Sequence, residues 1–298
     1  MDSTRASSAS PRPVAVTGAT GALGGRVAAS LAADGVPLRL VVRDAARAPS
    51  LGDHVDVAVA SYADRAAARA ALEGVETLFM VSAAEAVDRL DQHRAFVDAA
   101  AEAGVRHVVY TSFQGAAPDA VFTLARDHAA TEQHLLASGM ATTFLRDSFY
   151  LDALIDFADA DGVLRGPAGA GRVAAVARTD VADAAAAVLR DPAAHRGATY
   201  DLTGPEALTL AELAARLSTA TGRDHVFVDE TLDEAYASRA AWRPEPWMAD
   251  AWVSTYTSIA SGEVAGVSRA VRDLTGREPL TLEQVVEGEG RDAAKHRV

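Results

Sequence analysis

The chain contains no cysteine. That excludes a disulfide framework, a thiolate zinc site and a thiol nucleophile. Lysine is almost absent and no run of basic residues occurs. With a formal net charge of −13, the surface repels polyphosphate, so neither nucleic acid nor an anionic membrane is expected as a partner. No apolar run approaches the roughly 20 residues of a membrane span. The start, Met1 to Pro13, is polar and lacks the hydrophobic segment of a secretory signal. A cytoplasmic protein is the expectation, and its acidity serves solubility. Aromatic residues make up only 6%, and all three tryptophans, Trp242, Trp247 and Trp252, fall in the last third.

What is present is a large apolar fraction, 49% of 298 residues. That is enough for one large domain, or one domain with a small lobe. The most informative stretch is Val14-Ala-Val-Thr-Gly-Ala-Thr-Gly-Ala-Leu-Gly-Gly25. It reads as a short apolar strand, a glycine turn and the start of an alanine-rich helix. Gly18 and Gly21 allow a tight turn and close approach of backbone to a pyrophosphate. Gly24 allows the helix to pack on the strand. The helix start at Thr20, Ala22 and Leu23 would present free N–H groups and partial positive charge to the phosphates. A second strand at 38–42 stands at the distance a dinucleotide site requires.

Further strands are predicted at 55–59, 77–81, 107–111, 141–145, 199–202 and 226–228. Helices are predicted at 23–34, 64–72, 90–103 and 126–138. Strands alternating with helices imply parallel βαβ units with right-handed crossovers, hence a doubly wound α/β sheet. Gly35, Gly74, Gly104 and Gly139 fall where helices should end. Beyond Arg146 a helix is expected over 180–189, N-capped by Thr179 or Asp180. Thr209 and Glu212 form a capping box. The segment 230–262 reads as one or two helices lidding the C-terminal ends of the strands. The divisions are a disordered arm at 1–12, a dinucleotide-binding core at 13–150, a smaller, mostly helical substrate lobe at 151–288 interleaved with the core, and a flexible tail at 289–298.

Arg43 follows the second strand, where the adenine ribose lies. A guanidinium there suits a 2′-phosphate, so NADP(H) is favoured over NAD(H). Two alternatives stand: Arg43 is a solvated surface arginine, or Asp44 takes the ribose while Arg43 points outward. Ser82 and Ala83 leave the fourth strand, and their small size would admit the nicotinamide ribose.

In order and spacing, the glycine turn, Val42-Arg43-Asp44, Gln92-His93, Ala103-Gly104-Val105, Tyr110-Thr111-Ser112, His128-x-x-Thr131-Glu132, Ser138-Gly139, Thr143-Phe144-Leu145-Arg146 and Arg178-Thr179-Asp180 resemble the atypical short-chain dehydrogenase/reductases of the NmrA-like family. Within it the chain is most similar to the NAD(P)H-dependent quinone oxidoreductase and triphenylmethane reductase group. The resemblance spans roughly 13 to 220 and implies a Rossmann-type fold. In standard members of the superfamily a Ser near Ser112 orients the substrate carbonyl, and a Tyr-x-x-x-Lys pair supplies the proton and the ribose contact. Here His128 holds the Lys position and Leu124 the Tyr position, so the usual general acid is absent. His128 is implied to donate to the ribose hydroxyls or relay a proton. Pairing with Glu132, four residues on, would favour its charged form. A metal on this pair lacks a third ligand, so none is expected.

Without that phenolic acid, hydride transfer to a strongly electrophilic acceptor, which needs less acid help, is favoured over carbonyl reduction, and the resemblance implies acceptors of this kind. Phe113, Phe149, Tyr150 and Trp247 are candidate substrate contacts, with Phe122 and Trp252 able to wall the same pocket. Tyr150 is the candidate substitute proton donor. Asp147 stands where relatives often carry Asn, and its charge would favour a cationic acceptor. The expectation is an NADPH-dependent oxidoreductase acting on a conjugated, aromatic electrophile such as a quinone, a cationic dye-like molecule, an imine or an enone. Two alternatives stay open: a non-enzymatic NADP(H) redox sensor, and a tailoring reductase or isomerase of a specialised metabolite. Monomer and homodimer are equally compatible with the alanine-rich helices.

Overall fold

The computed structural model describes residues 12–295. The expected N-terminal arm, 1–12, lies outside these except for Arg12. Seven parallel strands form the central sheet: β1 Val14–Thr17, β2 Leu38–Val42, β3 Val55–Val59, β4 Thr77–Met80, β5 His107–Phe113, β6 Ala141–Asp147 and, after two short strands, β9 Thr199–Leu202. Their order is β3-β2-β1-β4-β5-β6-β9. The order reverses between β1 and β4, which opens a crevice above the strands' C-terminal ends. This is the doubly wound, Rossmann-like arrangement.

Helices cover both faces. On one lie α1 Ala22–Ala33, α6 Arg178–Arg190 and α10 Ala270–Thr275. On the other lie α2 Arg65–Leu72, α3 Arg89–Glu102 and α4 Thr123–Ala137. The strands' two-residue period sorts their side chains between the faces. Val16, Leu40, Phe79, Val109 and Leu145 join the first core. Their neighbours Ala15, Val41, Leu78, Val108 and Phe144 join the second. Each fully buried aliphatic contributes about 1.5–3 kcal/mol.

A third core belongs to the C-terminal lobe. It gathers α5 Leu151–Asp156, α7 Leu210–Thr221, α9 Pro246–Ser261 and α11 Leu282–Lys295 around Phe113 and Phe122. α8 Leu232–Arg239 lies against α9. Two small sheets brace this lobe: β7 Val163–Gly166 runs parallel to β11 Val226–Asp229, and β8 Arg172–Val173 antiparallel to β10 Leu208–Thr209. The expected tail, 289–298, begins inside α11; its last three residues, and its side chains from 289 on, lie outside the described residues. No helix among the described residues is long and apolar enough to cross a membrane.

Gly35, Gly74, Gly104 and Gly139 end helices with positive φ, and Thr209 and Glu212 close their capping box. One cap differs from expectation. α6 starts at Arg178 after Ala177, with no side-chain cap. Its Arg178 N–H is satisfied from outside, by the Asp152 carboxylate at 2.8 Å. Asp180 is instead fully buried, accepting the Leu280 N–H at 2.7 Å and pairing with Arg277 at 2.6 Å. A carboxylate held by a long-range ion pair is not free to cap its own helix.

The β1–α1 turn sets the tightest limit on sequence. Gly18 has φ 64°, and a Cβ on Gly24 would lie 2.5 Å from the Gly18 carbonyl oxygen. Gly24→Ala should therefore destabilise by about 1–3 kcal/mol through forced backbone shifts, read as a drop in melting temperature. Gly288→Ala, in the open space of α11, should leave it unchanged or raise it slightly. Equal effects at both positions would refute the close-approach account.

Candidate active site

A cleft of about 360 Å³ lies over the switch point. Gly18, Thr20, Arg43, Tyr62, Ser82 and Ala83 are among its lining residues. Gly21 caps α1 with no side-chain hydrogen bond, and the helix's first turn carries no acid. The positive end of α1 is thus uncompensated from within the protein, which suits a pyrophosphate. Gly21 and Ala22 are exposed at this helix start, whereas the Leu23 side chain is buried in the first core. Leu23 can offer the site only its backbone.

Arg43 is exposed at the cleft and makes no ion pair or hydrogen bond with any described residue. The Asp44 carboxylate turns away and accepts the Ala46 N–H at 3.0 Å, capping a short helical turn. That leaves the Arg43 guanidinium as a free charge at the rim of the cleft. Beneath the cleft the Tyr62 hydroxyl meets Thr17 Oγ1 at 2.6 Å and donates to the Val81 carbonyl at 2.6 Å. Its ring stacks on Phe96 at 4.2 Å. Tyr62 therefore ties the ends of β1 and β4 together.

An inner cavity of about 180 Å³ adjoins the cleft at Ser82 and Glu85. Phe113, Phe122 and Phe149 wall one side as a triangle of rings, with centroids 4.9–5.1 Å apart. Ser112, His128, Asp147, Ser148 and Tyr150 supply the polar surface. Ser148 Oγ is buried with no hydrogen-bond partner among the described residues.

His128 does not pair with Glu132. It is 6% exposed, its Nε2 accepts from Arg89 at 2.9 Å, and its Nδ1 meets the Tyr110 hydroxyl at 3.0 Å. Burial and the Arg89 charge push its pKa well below 6.5. The ring is neutral and both nitrogens are engaged, so the expected imidazolium is not formed. Glu132 instead takes Arg146 through both oxygens, at 2.9 and 2.6 Å, and the Ser112 hydroxyl at 2.5 Å. Ser112's single proton is thus committed to Glu132, so in this arrangement it does not donate toward a substrate carbonyl. Leu124 packs as hydrocarbon against the third core.

Burial raises the Asp147 carboxyl to about 7. Tyr150 lines the same cavity, and burial with the neighbouring Asp147 charge raises its phenol well above its ordinary value. The expectation that Asp147 is a fixed negative charge is therefore corrected: near neutral pH it exchanges a proton. Trp247 is not among the residues lining these two cavities or a third one beyond them; Trp242 and Trp252 line the last. Among the described residues no group of three or more His, Asp or Glu is placed to hold a metal ion.

The NmrA-like family model matches residues 11–237, three quarters of the chain. The chain belongs to the NmrA-like family. Quinone oxidoreductase 2 of Escherichia coli strain K12 is 36% identical over 92% of this chain and 97% of its own length. The crystal structure of the E. coli NADPH-dependent quinone oxidoreductase complexed with NADPH superposes with a TM-score of 0.85, covering 92% of this chain and 99% of that one. The NAD(P)H azoreductase of Xenophilus azovorans is 34% identical over 90% of this chain and 95% of its own length. The Citrobacter triphenylmethane reductase complexed with NADP(H) superposes at 0.82 with 30% identity, covering 92% and 99%.

In this NmrA-like chain the residue that sequence reasoning missed is Arg89. It is 4% exposed and binds the Ala83 carbonyl, Asp127 and His128 at 3.0, 3.2 and 2.9 Å. The available signal was its place one turn before His93 on α3, the same helix face. His93 Nε2 accepts the Ala83 N–H at 2.8 Å and its Nδ1 donates to Thr131 at 2.9 Å, Thr131 itself donating to the Asp127 carbonyl. Burial holds His93 near 3. A histidine depressed this far stabilises the fold above about pH 6.5, and that stabilisation is lost as pH falls toward 3. Nitrogen NMR should show His93 and His128 neutral, with the proton on Nδ1, between about pH 5 and 8. An imidazolium signal at either position above about pH 6 would refute this network.

Proposed function

We propose that this protein transfers a hydride from NADPH to a conjugated, aromatic electrophile: a quinone, a cationic dye-like molecule, an imine or an enone. The observation that carries the reading is the junction at Ser82 and Glu85. There a glycine-turn cleft with a free arginine meets an aromatic-walled cavity. When bound, the reduced nicotinamide supplies the hydride. The quinone, azo and triphenylmethane specificities in the names of the relatives support an acceptor of this class. A redox sensor has no need of a second, aromatic cavity beside the cofactor.

The residues of this chain do the rest. The α1 N-terminus and Gly18 hold the pyrophosphate, and Arg43 forms a charged hydrogen-bonded contact with the 2′-phosphate. Arg89 and His93 fix the Ala83 loop from both sides, so the nicotinamide end has a rigid edge. Phe113, Phe122 and Phe149 exclude water and offer faces to a flat acceptor. Ser148, with its unpartnered hydroxyl, is a further contact for an acceptor oxygen. The proton comes from Asp147 through the Tyr150 hydroxyl. For a quinone, one hydride and this one proton complete the hydroquinone, and solvent restores the Asp147 proton.

The purified protein should oxidise NADPH with at least one quinone, activated enone, imine or triarylmethane cation well above the uncatalysed rate. Tight NADPH binding with no turnover across that panel would overturn the enzyme reading. Arg43→Ala should weaken NADPH by about ten- to hundredfold, the worth of a charged hydrogen bond, with little effect on NADH. Equal losses for both cofactors would remove Arg43 from the 2′-phosphate.

The proton route carries its own sign. Asp147 acts in its protonated form, so kcat should fall as pH rises through about 7. Asp147→Asn should lower kcat and flatten that limb, and Tyr150→Phe should lower kcat while leaving NADPH affinity intact. A descending limb unchanged in Asp147→Asn would place the proton donor elsewhere.

A further inference from the structure

Beyond the inner cavity lies a larger outer one, about 340 Å³. The two adjoin, and Glu85, Phe157 and Thr255 line both. The proposed chemistry alone does not use the outer cavity. A cavity of about 150 Å³ is enough to hold benzene, so the inner 180 Å³ accommodates a single ring. The outer volume is room for further rings.

Its walls have the character of an aromatic subsite. Trp242 and Trp252 stand edge to face at 6.4 Å and 88°. Trp242 is 68% exposed, so one of the largest apolar side chains of the lid is left facing water and open to stacking. Tyr256 lies under the Arg239 guanidinium, 4.9 Å from its ring centroid. Arg239 is tied to Glu230 at 2.9 Å and to the Arg165 carbonyl at 3.0 Å, which fixes the floor. Both arginines of the cavity already have carboxylate partners, Glu230 and Asp159. Glu85, at the junction, has none among the described residues. The cavity therefore offers no free cation to an anionic ligand and one free anion at its neck.

We propose that the outer cavity is a distal subsite for a second aromatic ring. The substrate is then an extended, multi-ring conjugated molecule, neutral or cationic. One ring is reduced in the inner cavity while a pendant flat ring is held by Trp242 and Trp252. This rests on the hydride-transfer reading above and adds the shape and charge of the acceptor. Binding a non-reacting ring helps to orient the reacting one.

The test compares 1,4-benzoquinone, 2-phenyl-1,4-benzoquinone and 2-cyclohexyl-1,4-benzoquinone with NADPH. The phenyl compound should have a kcat/KM about tenfold above both others, since a flat ring stacks and a puckered one does not. Trp252→Ala and Trp242→Ala should each collapse that preference through KM of the phenyl compound. Trp242 is largely exposed, so its replacement separates subsite loss from misfolding. A phenyl preference that is absent, or that survives both substitutions, overturns the subsite. Turnover of none of the three overturns the quinone reading instead. The subsite is then decided by quenching of indole fluorescence with 2-phenyl-1,4-benzoquinone. Saturable quenching in the parent protein whose Kd rises about tenfold in each single variant, read from the two indoles that remain, upholds it, and its absence in the parent protein overturns it.

Discussion

The Arg89 guanidinium must find acceptors inside the protein, because an unpaired charge at that depth costs several kcal/mol. It finds three, on two different parts of the chain: the Ala83 carbonyl after β4, and Asp127 and His128 on α4. α3 is thereby locked to both walls of the inner cavity. One consequence is chemical. A cation donating to His128 Nε2 makes the imidazole an acceptor there, so His128 stays neutral. The site then has a hydrogen-bonded scaffold where the sequence pattern suggested an imidazolium, and its mobile proton must lie elsewhere.

The fold makes that scaffold useful by bringing it to the switch point. β4 and β5 are neighbours, so the loop after β4 and the residues ending β5 face the same crevice. The Ser82 N–H donates to Thr111 Oγ1 at 2.8 Å, stitching the two exits together. β6 adds Asp147, Ser148 and Tyr150 from the adjoining position. Residues far apart in sequence therefore share a cavity because parallel strands end on the same side.

The sheet was legible in the sequence because most of its strands have an apolar centre and α1, α2, α3 and α4 each end at a glycine. β1, β2, β3 and β9 fall at their predicted residues. The strands β7, β8 and β10 were not legible: two to four residues long, they are ordered by their partners rather than by any period of their own. The β1–α1 turn and the exposed Arg43 beside the cleft were readable from Gly18, Gly21, Gly24 and the end of β2, since a turn and a position after a strand are local facts. The protonation states in the inner cavity were not. Whether His128 is charged depends on Arg89, nearly forty residues earlier. Whether Asp147 is charged depends on how deeply β6 is buried. Which of the two tryptophans named on α9 lines a cavity, Trp252 and not Trp247, depends on how that helix is seated. None of these follows from spacing along the chain.

An acid serves best when its pKa lies near the working pH. There are two opposite ways to reach that point. A phenol can be lowered by a neighbouring cation, as the Tyr-x-x-x-Lys arrangement does, or a carboxyl can be raised by burial. This chain has lost the means for the first. Leu124 stands at the phenol's position, and the cation available nearby, Arg89, is already committed to Ala83, Asp127 and His128. It has the means for the second at the end of β6, where burial brings Asp147 to about 7. Tyr150 adds a hydroxyl to the same cavity without being asked to ionise. The proposed acid thus moves from a helix to a strand end, and from a tuned phenol to a tuned carboxyl. Such an acid is weakly supported by charge, so the acceptor must supply more of the driving force itself, which is the property of a conjugated electrophile.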